Sequence, residues 1–283
     1  MLSPSNLNLI RNSWRFILNL FCGLVLLFLI LPILIIIPLS FNAEPYFTFT
    51  RDMLTFESSA WSLRWYQDIL GNPQWLHAIR NSFIIGIAST IPATVLGTLA
   101  ALGLSRSQMP LRATIMGILL SPMIVPIIIS ATGMYFFYSR MGLSQTYVGI
   151  ILSHIALGAP FVVVTVSATL SGFDYNLMRA ASSLGSPPLH TFLRVVAPLI
   201  APGVISGALF AFITSFDEIV VVLFMAGFEQ RTIPRQMWSG IREQISPTIL
   251  AVATMLIIFT VSLMLILELL RRRNERMRGI VTS

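Results

Sequence analysis

The chain has 283 residues, 55% of them hydrophobic and only 10% charged, with a mean hydropathy of +0.83. A soluble domain carries about a quarter charged residues, so this composition excludes a soluble fold and calls for a bilayer as solvent. The net charge of +7 does not point to nucleic acid, because the basic residues lie in short flanks beside apolar runs, where they set topology.

All 18 basic residues are arginine. Without a lysine the chain lacks the phosphate-binding residue of a P-loop and the nucleophile of Schiff-base chemistry. If ATP drives this protein, another subunit hydrolyses it. The single Cys22 lies in an apolar run, and His77, His154 and His190 lack metal-site spacing, so no disulfide, metal or other cofactor is expected.

A span needs about 20 apolar residues. Six segments qualify: 16–40, 81–104, 112–138, 146–170, 197–225 and 247–270. The expected fold is an all-α integral membrane protein of six transmembrane helices. Residues 1–15 form an inner amino terminus, 16–270 the membrane domain and 271–283 a basic tail beside anionic headgroups. No small-residue cleavage site follows the first run, which therefore reads as an anchor and not as a leader. Pro122 and Pro126 mark a candidate kink in the third span.

Arginine placement gives the direction. Arg11, Arg15, Arg106, Arg112, Arg179, Arg194 and the Arg271–Arg278 cluster fall on one side with few acids. Arg51, Arg64, Arg80, Arg140, Arg231, Arg235 and Arg242 fall on the other, nearly balanced by Glu44, Asp52, Glu57, Asp68, Glu229 and Glu243. The positive-inside rule puts both termini in the cytoplasm. The loop at 42–80 then faces outward, and its many aromatic rings suit the membrane interface.

Between the fourth and fifth spans, 171–196 faces inward. There Asp174 suits the cap of a short helix that ends at Gly185, and Ser186-Pro187 suits the start of a second. This stretch resembles the E-A-A-x-x-x-G loop of type I ABC importer permeases, with Ala180, Ala181 and Gly185 on the pattern and Val196-Ala197-Pro198 approximating its end. Arg179 stands at the glutamate position. Arg80-Asn81-Ser82 and the spacing of the spans are also similar, over about Trp65 to Arg271. The resemblance implies the MetI-like permease fold in a bacterial inner membrane. It also implies that Arg179, Ala180, Ala181, Leu184, Gly185 and Pro198 belong to a loop that seats on an ATPase subunit. The implied partners are two ATPase subunits, a second homologous permease and a periplasmic substrate-binding protein, besides membrane lipid.

The fifth span contains Asp217 and Glu218. Ionised groups at membrane depth are costly and are kept where a path, a partner or a substrate compensates them. With Thr214 and Phe216 they form a candidate substrate path suited to a cation, the rings adding cation–π contacts. On a continuous helix the two acids point about 100° apart. Alternatively, either pairs with Arg231, Arg235 or a second subunit. The string Ser215-Phe-Asp-Glu218, with Thr232 to Thr254, is similar to the spermidine/putrescine permease branch, which implies import of polyamines or related amines. Another small nitrogenous solute is the alternative cargo. An ion-gradient-driven secondary transporter is the rival mechanism, but no internal repeat of the usual kind is visible. His154, in the fourth span, suits a helix–helix hydrogen bond.

Overall fold

A computed structural model describes residues 4–106, 109–243 and 246–277. Its thirteen α-helices among these residues are α1 (Pro4–Leu39), α2 (Arg51–Leu54), α3 (Arg64–Gly71), α4 (Pro73–Leu104), α5 (Arg112–Ile124), α6 (Ile127–Arg140), α7 (Tyr147–Ser171), α8 (Asn176–Ser183), α9 (Pro188–Thr191), α10 (Ala197–Phe216), α11 (Val220–Met225), α12 (Ile233–Glu243) and α13 (Thr248–Met277). Five helical stretches are long and apolar enough to cross a membrane, and α5 with α6 makes a sixth if the bent pair is one span. The chain divides into two compact units, Met1–Gly71 with Gly240–Val261, and Asn72–Ser239 with Ser262–Ser283.

In the first unit, α1 exposes its apolar residues all round from Phe16 to Leu34, as a helix does when lipid is its solvent. After it the chain is tied down by Asn42, fully buried. Its amide donates to the carbonyls of Tyr46 and Thr48, its side-chain oxygen accepts from Glu44 N–H, and its own carbonyl accepts Trp65 Nε1–H at 2.8 Å. Tyr66 hydroxyl meets Ser40 Oγ at 2.7 Å, and Thr248 Oγ1 donates to Asp68 at 2.8 Å. Trp65 is therefore a core residue and not part of an exposed aromatic belt, whereas Phe56 and Tyr46 are exposed.

The second unit is built on α4, α7 and α10. Among hydrocarbon tails, apolar burial does not distinguish a helix from lipid, so association depends on close packing of small residues. A Cβ on Gly97 would come within 2.6 Å of Val162 Cβ, and one on Gly207 would strike Thr165 Oγ1 and Val162 Cα. Ala93, Ala101, Val162, Val166, Ile200 and Ala211 fill this contact, and Ile85, Ala131, Ile150, Val221, Val222 and Met225 fill a second one.

Several expected boundaries differ. α4 starts at Pro73 and not at 81, because Asn72 caps it by accepting Gln74 N–H at 2.9 Å and Pro73 fits the first turn. The segment 112–138 is two helices meeting at 102°. Pro126 holds Val125 in an extended conformation and removes an N–H from the ladder. The segment 197–225 is also interrupted, at Asp217–Ile219. Past 270, α13 stays helical through Met277, and the rest of the basic tail, 278–283, lies outside the described residues.

The small-residue seam makes a prediction of opposite signs. Gly97→Ala should lower the stability of the solubilised protein by about 1–3 kcal/mol, the usual cost of overpacking. Gly117→Ala, where nothing lies within 4 Å of the new methyl, should be neutral or slightly stabilising. Thermal unfolding in detergent reads both, and equal effects at the two positions would refute the seam.

Candidate functional site

The loop between α7 and α10 begins as Asp174 Oδ1 accepts Asn176 N–H at 2.9 Å, which opens α8. The helix ends in a two-bond C-terminal motif: Gly185 N–H donates to Ser182 O at 3.0 Å and Ser186 N–H to Ala181 O at 3.1 Å. That geometry needs a left-handed residue, and Gly185 supplies it with φ of +80°. The second helix starts one residue later than expected. Pro187 is its cap position and Pro188 its first residue, while Ser186 Oγ instead accepts from Thr191 Oγ1 at 3.0 Å.

Arg179, Ala180, Leu184 and Gly185 are exposed and Ala181 is half-buried. Leu184 is 88% exposed and Leu189 70%. Among the described residues Arg179 forms no ion pair. The loop is nonetheless anchored: Phe173 and Phe192 pack against the core shared by α4, α7 and α10, and Tyr175 hydroxyl donates to Ser105 O at 3.4 Å. A π-helical turn, Phe192–Val196, joins α9 to α10, with Ala197 N–H reaching back five residues to Phe192 O. Pro198, exposed in the first turn of α10, has no N–H to offer Arg194 O, and the wider turn accommodates its ring.

The two acids do not lie on a continuous helix. α10 ends at Phe216, where Asp217 N–H closes the last turn on Ile213 O at 3.0 Å. Glu218 then turns its carboxylate to the start of α11, accepting Val221 N–H at 2.8 Å. The expected 100° divergence therefore does not apply: Glu218 is committed to a helix end, and Asp217 is exposed. Thr214 is half-buried, and the buried Phe216 ring packs 5.3 Å from Phe212 and 5.2 Å from Phe83. No ion pair joins either acid to Arg231 or Arg235 among the described residues. Arg235 donates to Ala226 O at 2.6 Å and Gly227 O at 2.8 Å, and Arg231 lies 4.5 Å over the Phe228 ring. Burial first, and then the neighbouring Arg231, lower the pKa of Arg235 from its ordinary value.

Two hydrogen-bonded clusters were less visible in sequence. Asn81 donates to Glu229 O and Arg231 O, and accepts from Tyr147 hydroxyl at 2.9 Å. Ser82 Oγ accepts Ile233 N–H, also at 2.9 Å. The Asn81-Ser82 pair thus holds the 226–233 segment against α4. The second cluster joins Ser89, His154 and Ser215. No group of three side chains suited to a metal ion lies among the described residues.

Comparison with known proteins agrees with this architecture. The family described as binding-protein-dependent transport system inner membrane component matches residues 93–276. The spermidine/putrescine transport system permease protein PotC of Haemophilus influenzae is 29% identical over 92% of this chain and 98% of its own. The putrescine transport system permease protein PotI of Escherichia coli K12 is 28% identical over 89% of each. A bacterial ABC transporter involved in import of the acidic polysaccharide alginate has a chain of the same fold, with a TM-score of 0.72 at 14% identity over 95% of this chain and 98% of that one. With its helical bundle and a family match over most of its length, the chain belongs to the inner membrane components of binding-protein-dependent, ABC-type transport systems.

Proposed function

We propose that this chain forms half of the translocation path of an importer for polyamines or related small amines, with both termini in the cytoplasm. Its partners in this reading are two ATPase subunits, a second homologous permease and a periplasmic binding protein, and the chain itself does no covalent chemistry. The observation that carries the cargo class is Asp217, an exposed carboxylate at the break between α10 and α11, next to a cluster of phenylalanine rings. A carboxylate with π faces nearby suits an alkylammonium group. Kinship to PotC and PotI over most of the chain supports the same class. Glu218, tied to Val221 N–H, shapes the break and adds negative potential.

The loop at 174–194 is the proposed seat on the ATPase. Its exposed Leu184 and Leu189 suit an apolar groove, Ala180 and Ala181 let another backbone approach, and Arg179 offers a cation where the family pattern has a carboxylate. ATP binding closes the ATPase pair and moves this loop. Phe173, Phe192 and the turn leading to Pro198 carry the motion into the bundle, which passes from inward-facing to outward-facing. The binding protein releases cargo, and hydrolysis resets the state.

Two experiments on the assembled transporter test this. Gly185→Val places a β-branched residue at φ of +80°, a strain of roughly 1–2 kcal/mol. The complex should assemble but hydrolyse ATP with little uptake, and normal coupled uptake would remove the loop from the docking role. Asp217→Asn should cut the uptake rate of labelled putrescine by about tenfold, the factor for about 1.4 kcal/mol, with assembly intact. Uptake at the parental rate would take Asp217 off the cargo path.

A further inference from the structure

Three buried polar side chains meet where α4, α7 and α10 pack: Ser89 and His154, each 1% exposed, and Ser215 at 5%. His154 Nδ1 lies 2.7 Å from Ser215 Oγ, and Ser215 Oγ lies 2.9 Å from Ser89 Oγ. Ser89 Oγ lies 3.2 Å from Gly86 O, which accepts from it. His154 Nε2 is buried and has no hydrogen-bond partner among the described residues.

Counting protons gives this chain a direction. Each hydroxyl has one hydrogen to donate. If Ser89 donates to Gly86 O, Ser215 must donate to Ser89, and Ser215 can then only accept from His154 Nδ1–H. All three bonds form, and what remains is a bare Nε2 lone pair. Run the other way, Ser89 donates to Ser215 and Ser215 to Nδ1. Gly86 O then loses the Ser89 donor, though it keeps Thr90 Oγ1 at 2.7 Å, and an Nε2–H is buried without an acceptor, the rarer and costlier defect. The first direction wins by one hydrogen bond and by the kind of orphan it leaves.

The position of the chain gives it a role. Ser215 lies in the last turn of α10, two residues before Asp217, where helices tend to fray. We infer that His154 is a positioning residue: its Nδ1–H heads a one-way chain through Ser215 and Ser89 that pins the end of α10 to α7 and α4 and so fixes where Asp217 stands. On the far side of the break, the Glu218 carboxylate and the buried Val221 and Val222 hold the start of α11. Asp217 is thus suspended between two fixed points, which is what a group that meets cargo in one geometry requires. This inference rests on the reading of Asp217 as a cargo-path residue.

Two readouts on the assembled transporter test it. In nitrogen-15 NMR of histidine-labelled complex, the ring lost on His154→Asn should carry a hydrogen on Nδ1; a ring with its one hydrogen on Nε2 overturns the directed chain. In putrescine uptake, His154→Asn puts an amide where Nδ1 stood and should keep the rate within about twofold. His154→Gln, whose amide falls near Nε2, should lose about tenfold, the factor for about 1.4 kcal/mol. Ser215→Ala deletes the same bond without adding volume and should match the Gln variant. Equal rates in the Asn and Gln variants, or parental uptake in Ser215→Ala, overturn the positioning role. Failure of the Asp217 reading is recognised separately: Asp217→Asn then transports normally while the NMR signature of His154 is unchanged.

Discussion

Inside a bilayer there is no water to take up a backbone group that a helix leaves unpaired, so every interruption of a span must be repaired locally. Among the described residues the spans of the second unit have three interruptions, and each carries its own repair. At Val125-Pro126 the residue preceding the helix break donates its N–H to Ser121 O, and the missing proline N–H falls where the second helix begins. At Phe192–Val196 the ladder widens by one residue ahead of Pro198. At Asp217–Ile219 a carboxylate from within the break caps the helix that follows. A polar side chain that would otherwise be a liability at that depth is what allows the backbone to stop and restart. This cap accounts for Glu218 in the fifth apolar segment.

Close packing supplies the frame in which such breaks are tolerable. Gly97 against Val162 and Gly207 against Thr165 bring the backbones of α4, α7 and α10 near enough for short serines and one histidine to bridge them. With larger residues at those glycines the helices would stand farther apart, and the 2.7 Å and 2.9 Å hydrogen bonds of His154, Ser215 and Ser89 would be out of reach. The small-residue seam and the polar chain are therefore one feature. The seam sets the interhelical distance, and the chain uses it to give the end of α10 a single orientation.

Much of this was legible in sequence because the governing signals are local. Apolar run length located the helices, and Asp174 with Gly185 bounded α8 through capping chemistry that needs only neighbouring residues. The Asn72-Pro73 start of α4 carried an equally local signal, but the mixed polar and apolar stretch 74–82 reads as loop until tertiary bonds from Asn81 and Ser82 to the 226–233 segment are seen. Pro126 announces a break yet says nothing of its angle, since a kink and a turn of 102° begin from the same lost N–H. The end of α10 was hidden for a different reason. No glycine or proline marks Phe216-Asp217-Glu218-Ile219, and the apolar run continues through it, so hydropathy reads straight across. Only the alternative use of Glu218, as a cap three residues before Val221, distinguishes a break from a buried acid pair.

The same contrast bears on Arg179. It lies on an exposed face of α8 with no carboxylate partner among the described residues, so its charge stabilises nothing within the loop. The fold of the loop instead comes from Asp174, the Gly185 turn and the two phenylalanines anchored in the core. An exposed, unpaired arginine contributes little to stability, and reversal of charge at this position leaves those bonds untouched. Its consequence falls on the surface that the proposed ATPase partner presents, where an acidic residue in the groove gains a charge-assisted contact and a basic one is repelled. In the proposed docking, the departure from the family pattern bears on the ATPase surface that meets this loop, and it leaves the bonds that shape the loop untouched.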